Sequence, residues 1–475
     1  MTTTDRLPWS LRFAYAAGQF PEGIKSAAFG FYLLFYYNQV LGLDARLASL
    51  AIFIALVIDA ISDPVVGAWS DFTHSRFGRR HPWMYASAVP FALLFFGIFA
   101  PPDALGETGL FWWLLFFTAA TRTAMTFYTV PYMAMGAELS NNYDERTLLA
   151  SLRNVFQLLG MFAVLIGANL LFFAPSESFS NGQLNPEAYF WFGVASAPLL
   201  IVGILVASLG THHRIPYLHA PGIRPRYALK EISQDVVQAF RIPAFAALVT
   251  AAIIFGITQG LVQALTLYTA TYFFELTAAQ TSTLFAVAVI GIILGSLMSL
   301  PISKVVGEKR TTFAAGLAWY ALFTSSVIIL KLMGAFPEDA GTLVNVLYIA
   351  SACVSAFGLG VAIPMIGAMV ADITDEHERR HGERQEGIYY AAASFAGKLI
   401  GGAGPMVAGY VISFSGITPG ADPASVPDDV INRFGWIQGP IVIVLSALSI
   451  AAITFYNLTR AHHTAILEEI ANRRG

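Results

Sequence analysis

Asp59, Ser62 and Asp63 follow an unbroken apolar run, LASLAIFIALVI (Leu47 to Ile58), and open the stretch DAISDPVVGAWSDFTHSRFGRRHPW. Their i, i+3, i+4 spacing stacks them on one face of a helix, with the two carboxylates about 6 Å apart. In a low-dielectric setting such a pair repels unless a cation or a shared proton sits between the groups. An ionisable side chain at bilayer depth costs at least about 2.5 kcal/mol, so each carboxylate needs a partner or a task. A cation site supplies both; the alternative is neutralisation by an Arg or Lys from another apolar segment. Arg122, Thr126 and Thr129 stand at i, i+4 and i+7 and again share one helix face, where Thr126 offers a hydroxyl as a neutral oxygen ligand. Two carboxylates with hydroxyls suit a hard monovalent ion such as sodium, held as a metal by Asp59 and Asp63. A proton needs only the carboxylates, and an Arg122–aspartate pair argues for the proton.

Other polar residues interrupt apolar segments. Glu22 and Lys25, three apart, either pair with each other or meet a substrate. Tyr390, Ser394 and Lys398 share a face within AAASFAGKLIGGAG, too far from the segment's ends for the lysine to reach water easily. Gln259 and Gln263, at i and i+4, are further candidates for hydrogen bonds to a substrate. Phe29, Tyr32, Tyr36, Tyr128 and Tyr268 could stack on a sugar ring, although such rings in membrane helices more commonly serve packing.

The elements that carry these residues follow from composition. The 475 residues are 56% hydrophobic and only 12% charged, against roughly 25% charged in soluble domains, and the mean hydropathy is +0.62. Segments of about 20 apolar residues cross a bilayer as helices. Twelve are expected, at 13–40, 47–70, 82–101, 109–137, 148–174, 189–209, 244–272, 280–302, 311–334, 342–371, 387–415 and 434–458. The short polar start, MTTTDRLPWSLR, precedes a long apolar run without a small-residue cleavage site, so the first segment is expected to remain as a span. Of the 27 Lys and Arg, 20 lie in the tails and even-numbered connections, which puts both termini in the cytoplasm. The single cysteine, Cys353, excludes an intrachain disulfide.

A link rich in Pro, Arg and His divides the spans six and six. The expected organisation is an N-terminal half at 1–210, a cytoplasmic linker with an amphipathic helix at 211–243, and a C-terminal half with a cytoplasmic tail at 244–475. The halves resemble each other: VPYMAMGAELSNNYDERTLLASLRN closes span 4 and IPMIGAMVADITDEHERRHGERQEG closes span 10, while SDFTHSRFGRRHP follows span 2 and ISKVVGEKRT follows span 8. Two six-span repeats with a cavity between them are implied. Asp71, Arg76, Arg79 and Arg80 form a basic loop that obeys the positive-inside rule. It could also pair with Glu138 and Asp372 at the ends of spans 4 and 10, forming a gate that closes the cytoplasmic face. The nine histidines show no metal-ligand spacing, no nucleophile–base pair is evident, and GRRHP lacks the context of a phosphate loop. An enzyme, a nucleic-acid partner and an organic cofactor are therefore not expected.

YYNQVLGLD, DAISDPVVGAWSDFTHSRFGRRHPW, VPYMAMGAEL with YDERTLLASLRN, and ADITDEHERRHGERQEGIYYAAASFAGK, in this order over both halves, resemble the glycoside-pentoside-hexuronide:cation symporters of the major facilitator superfamily. The resemblance implies an all-α membrane fold of twelve transmembrane helices in two six-helix halves. It implies that Asp59, Ser62, Asp63 and Thr126 bind the coupling cation, that Arg153 and Lys398 bind sugar, and that Ser394 stands where melibiose permease, a member of the family, has threonine. Where that permease has a Lys–Asp pair and an aspartate for sugar hydroxyls, this chain has Glu22, Gly23 and Thr129, so melibiose itself is not the expected substrate. The expectation is cation-coupled symport, with sodium or a proton, of a sugar, glycoside or sugar acid across the bacterial inner membrane by a monomer. The alternative is sodium-dependent lysolipid transport, known in a related branch of the superfamily.

Overall fold

A computed structural model describes residues 7–140, 142–177, 179, 181–218, 240, 242–337, 339–381 and 402–474. They are all-helical, without strands among them. The chain divides into two compact units, Met1–Pro225 with Thr277–Ser282 and Thr418–Ala421, and Arg226–Leu276 with Thr283–Ile417 and Asp422–Gly475.

In the first unit the helices are α1 (Trp9–Ala17), α2 (Phe20–Ala27), α3 (Ala45–Asp71), α4 (His81–Ile98), α5 (Glu107–Glu138), α6 (Tyr143–Phe162) and α7 (Pro186–Thr211). The second unit holds α8 (Pro243–Tyr268), α9 (Ala278–Val306), α10 (Lys309–Leu332), α11 (Gly341–His381), α12 (Ala403–Ser415), α13 (Asp428–Ile453) and α14 (Arg460–Arg474). Among the described residues nine helices are long and apolar enough to cross a membrane. The first expected span and α5 fall outside that set, and they are the helical segments that carry Glu22, Lys25 and Arg122. The first is broken at Gly18–Gln19 before Pro21 and widens into π-helical turns at Ala28–Tyr32 and Tyr36–Val40. Wide turns of this kind relocate side chains and recur at functional sites.

The internal repeat is visible in backbone detail. Span 1 ends as the amides of Leu41 and Leu43 bond the carbonyls of Tyr36 and Tyr37, and span 7 ends as those of Phe274 and Leu276 bond Thr269 and Ala270. Gly42 takes φ +79° in the first turn, and Glu275 takes φ +50° in the second. Asp44 then caps α3, and Thr277 accepts a bond from the Gln280 amide at the start of α9. Pro131 and Pro364, in the paired apolar-Pro motifs, have the same separation in sequence as Gly42 and Glu275.

The helix of span 10 continues past residue 371: α11 runs on to His381, held by the Arg379–Glu376 ion pair one turn apart. The tail folds as α14, whose Ile466 and Ile470, four residues apart, enter the apolar core beside Met369 and Ile373. His463 contacts Asp375 at 3.0 Å, and Arg379 reaches Glu469 at 3.5 Å. The expected amphipathic helix of the linker lies outside the described residues.

Candidate functional site

The site sits where α3 meets α5, and both sequences explain its position. Asp44 starts α3 by accepting bonds from the amides of Arg46 and Leu47. The helix then runs fourteen residues of mostly apolar side chains, Ala45 to Ile58, before Asp59. Asp59 is buried and Asp63 half-buried. From α5, the Thr126 hydroxyl lies 3.0 Å from Asp59 Oδ1 and 3.0 Å from Asp63 Oδ1, and 3.2 Å from the carbonyl oxygen of Arg122. A hydroxyl has one hydrogen to donate. It satisfies one acceptor, and the other carboxylate oxygen then faces its lone pairs. A proton on one carboxyl, or a cation among the oxygens, turns that repulsion into attraction.

Arg122 approaches from the other edge of the same carboxylate, with its Nη1 3.6 Å from Asp59 Oδ2. Its guanidinium also lies over the Phe29 ring, 5.1 Å from the centroid. Asp59 thus meets an arginine through one oxygen and the Thr126 hydroxyl through the other. Ser62 does not join the cluster through its hydrogen, which it donates to the Asp59 carbonyl at 2.9 Å, and Thr129 likewise donates to Met125 at 3.0 Å. Both hydroxyls follow the common habit of Ser and Thr in helices, bonding back to the preceding turn.

Glu22 and Lys25 pair at 2.9 Å, and Ser26 donates to the same Glu22 oxygen at 3.1 Å. Among the described residues, the second Glu22 oxygen, Oε2, and the Nε of Arg122 are both buried without a hydrogen-bond partner. Arg153 reaches the Tyr15 hydroxyl at 3.5 Å, and Tyr15 stacks on Tyr132 with centroids 4.7 Å apart. The structure explains Gly23: a Cβ there would lie 2.0 Å from the Gln157 carbonyl oxygen of α6. Where melibiose permease places an aspartate, this chain has a close helix crossing instead.

Gln259 and Gln263 are half-buried on α8, and Gln259 Oε1 is buried without a hydrogen-bond partner among the described residues. Tyr390, Ser394 and Lys398 lie outside the described residues. Tyr32, Tyr36, Tyr128 and Tyr268 are fully buried packing residues, with Tyr32 stacked on Phe173, Tyr36 on Tyr189, Tyr128 on Tyr132 and Tyr268 on Tyr272. Phe29 is the member of that set beside the ionic cluster.

The charged loops form one cluster in each unit. Arg79 and Arg80 both reach Glu138 Oε1, and Arg80 also meets Asp71 at 2.7 Å. Arg76 stays exposed, its guanidinium over the Phe77 ring. Asp372 is held by Lys309 at 2.6 Å and by His463 at 3.4 Å, all in the second unit. Lys309 and His463 escaped the sequence reading, and so did the buried Arg12–Glu145 pair, whose two bonds measure 2.6 and 2.8 Å. Lys309 could have been found in the repeat, since EKR in ISKVVGEKRT corresponds to GRR in the first half. Among the described residues no group of three His, Cys, Asp or Glu side chains is placed to hold a metal. Among the described residues, a carboxylate oxygen of Asp59 and one of Asp63 lie together at the Thr126 hydroxyl.

Long apolar helices in paired repeats, with carboxylates sunk among them, define a multi-span membrane transporter of the major facilitator class, not an enzyme. The family described as MFS/sugar transport protein matches residues 14–460. The chain belongs to that family. It is 24% identical over 468 residues to the isoprimeverose transporter of Lactiplantibacillus pentosus, covering 96% of this chain and 90% of that one. A shorter match, 35% identical over 158 residues, is to the sodium-dependent lysophosphatidylcholine symporter 1 of Gallus gallus, covering 33% of this chain and 29% of that one. Among solved structures, a bacterial homolog of the human lysosomal transporter Spinster, inward-facing and unoccupied, superposes with a TM-score of 0.63. The identity is 14%, with 97% of each chain covered.

Proposed function

We propose that this chain is a secondary active symporter that couples a cation, sodium or a proton, to uptake of a sugar, glycoside or sugar acid. The observation that carries the coupling is the Thr126 hydroxyl, 3.0 Å from a carboxylate oxygen of each of Asp59 and Asp63. A hydroxyl in contact with an oxygen of each of two carboxylates suits a proton or a hard cation. Ser62 completes the proposed cation-binding set. The proposed substrate-binding residues are Glu22, Lys25, Arg122, Thr129, Arg153, Gln259, Gln263, Tyr390, Ser394 and Lys398. Membership in a sugar transport family and the full-length likeness to a transporter named for isoprimeverose support a sugar-like substrate.

Coupling follows from linkage. A cation that steadies Asp59 and Asp63 favours the conformation that binds substrate, and substrate must then favour cation binding by the same factor. Alternating access is rocking of the two six-helix repeats, with Asp71, Arg79, Arg80 and Glu138 holding the cytoplasmic end of the first and Lys309 and Asp372 that of the second. The protein works as a monomer in the bacterial inner membrane with both termini cytoplasmic, as the distribution of Lys and Arg directs.

The lysolipid alternative draws on the shorter match to the lysophosphatidylcholine symporter. The charged residues Glu22, Lys25 and Arg153 favour a polar substrate over an acyl chain. The test is thermal unfolding of purified protein with a panel of glycosides, sugar acids and lysolipids, each with and without sodium at two pH values. A sugar or sugar acid whose stabilisation grows with sodium or with acid supports the proposal. Response to lysolipids alone overturns the substrate, and ligand stabilisation indifferent to both sodium and pH overturns the coupling.

A further inference from the structure

Two turns meet at the end of the first unit where α4 begins and α7 finishes. One spans 75–78 and is closed by the Ser75 hydroxyl, which donates to the Gly78 carbonyl at 2.8 Å, with Gly78 at φ +71°. The other is His212–Tyr217, directly after α7. They pack closely: a Cβ on Gly78 would lie 3.0 Å from Ile215 Cγ2, and the Phe77 and His212 ring centroids are 6.0 Å apart. Each turn presents an arginine laid on an aromatic ring. The guanidinium carbon of Arg76 lies 4.7 Å from the Phe77 centroid, and that of Arg214 lies 4.9 Å from the centroid of Tyr217, an exposed residue. Arg79 and Arg80, a few residues after Arg76, are neutralised by Glu138 and Asp71. Arg76 and Arg214 have no carboxylate partner among the described residues, and the Nε of Arg214 is buried without an acceptor there.

From this arrangement we infer that the two turns bind the head group of an anionic phospholipid. The surface lies where two apolar helices leave the bilayer. Trp69, exposed and stacked on Trp83, marks the same end with rings of the kind that settle at head-group depth. A guanidinium offers paired N–H donors to a phosphate, and one already resting on a ring gives up little freedom when it binds. A phosphodiester thus finds charge, donors and aromatic surface together where lipid phosphates are abundant. The chain supplies no acidic substitute in the segment that follows: residues 219–239 carry Arg224, Arg226 and Lys230 against Glu231 and Asp235, and so add positive charge. Orienting the protein by charge needs only arginines somewhere in the loop. It does not account for two that stay unpaired on adjoining turns, each on a ring, beside two that are paired.

The test is thermal unfolding of purified full-length protein in nonionic detergent, titrated with phosphatidylglycerol, with phosphatidylcholine of the same chains, or with glycerol phosphate. The wild type is expected to be stabilised saturably by phosphatidylglycerol, and less by the other two. Arg76→Gln and Arg214→Gln should each raise the phosphatidylglycerol concentration for half the effect by roughly fivefold, and the double variant by roughly 25-fold. Arg433→Gln removes an exposed arginine of the second unit that already pairs with Asp429, and should leave the titration unchanged. If Arg214→Gln gives no folded protein, Tyr217→Leu takes its place, because it removes the ring beside the guanidinium and should weaken binding in the same direction. Variants of both turns that titrate as the wild type overturn the inference. An equal loss in Arg433→Gln overturns it too, since attraction would then be diffuse. Equal stabilisation by phosphatidylcholine removes the need for an anionic head group, and an equal effect of glycerol phosphate makes the ligand a free phosphate; either result overturns the lipid site.

Discussion

Asp63 and Thr126 meet across α3 and α5 at 3.0 Å, and the same hydroxyl lies 3.0 Å from Asp59. This contact joins the two helices and brings the carboxylates to a shared oxygen. Thr126→Val keeps the shape and removes the oxygen, leaving two facing carboxylates with one ligand fewer. The expected result is a loss of roughly tenfold in apparent affinity for the coupling cation and a cost of about 1–2 kcal/mol from the carboxylate oxygen that loses its donor. Thr126→Ser retains the hydroxyl and should recover most of both. Cation titrations followed by thermal unfolding check this; equal affinities in the Val and Ser proteins would remove Thr126 from the site.

Glu138 is the acceptor for both Arg79 and Arg80, with its side chain 9% exposed. Arg80 is the more deeply buried arginine, and it has a second carboxylate partner in Asp71 and a bond to the Ser70 hydroxyl at 2.7 Å. Glu138→Gln removes the close carboxylate and leaves Arg79, among the described residues, with the carboxylate of Asp71 at 3.7 Å. Removing one partner of a buried pair costs about 3–5 kcal/mol in general, and here the remaining contacts reduce that to about 2–3 kcal/mol. Unfolding should move down by roughly 2–6 °C, the lower figure if the whole chain unfolds together and the higher if one unit does. Asp372→Asn should act in the same direction in the second unit, where Lys309 and His463 lose their shared acceptor. A Glu138→Gln protein as stable as the wild type would mean that the cluster orients charge without supporting the fold.

Most of the fold was legible because spanning helices announce themselves by composition, and the twofold pattern repeats in Pro131 and Pro364 and in the charged loops. Asp59, Asp63 and Thr126 were legible for a related reason: in an apolar run every polar residue stands out, and helical spacing says which residues share a face. Contacts across helices were not. Nothing in the spacing of Ser62 and Thr129 distinguishes a hydroxyl aimed at a ligand from one bonded to its own helix, which is how both are found. The extension of α11 past residue 371 escaped because DITDEHERRH is polar. It remains helical because Arg379 pairs with Glu376 and α14 packs beside it.

Gly23 is the point at which the family resemblance and the geometry meet. Its Cα faces the backbone of α6, where a Cβ would fall 2.0 Å from the Gln157 carbonyl oxygen, and at Gly160 a Cβ would fall 2.2 Å from the Phe20 carbonyl oxygen. The two glycines let α2 and α6 approach backbone to backbone, as small residues do in membrane helix pairs. Gly23→Asp, which introduces the acidic residue of melibiose permease, is therefore expected to separate the helices without creating a sugar site. The cost of such overpacking is about 1–3 kcal/mol, with the desolvation of a carboxylate added. Gly23→Ala, which adds only a methyl group, should give the smaller part of the same loss. Thermal unfolding of both proteins, with melibiose as the added ligand, separates the possibilities. Destabilisation that melibiose does not relieve is expected. A stable Gly23→Asp protein stabilised by melibiose would mean that α2 stands far enough from α6 to admit a side chain, and that the substrate site follows the family pattern after all.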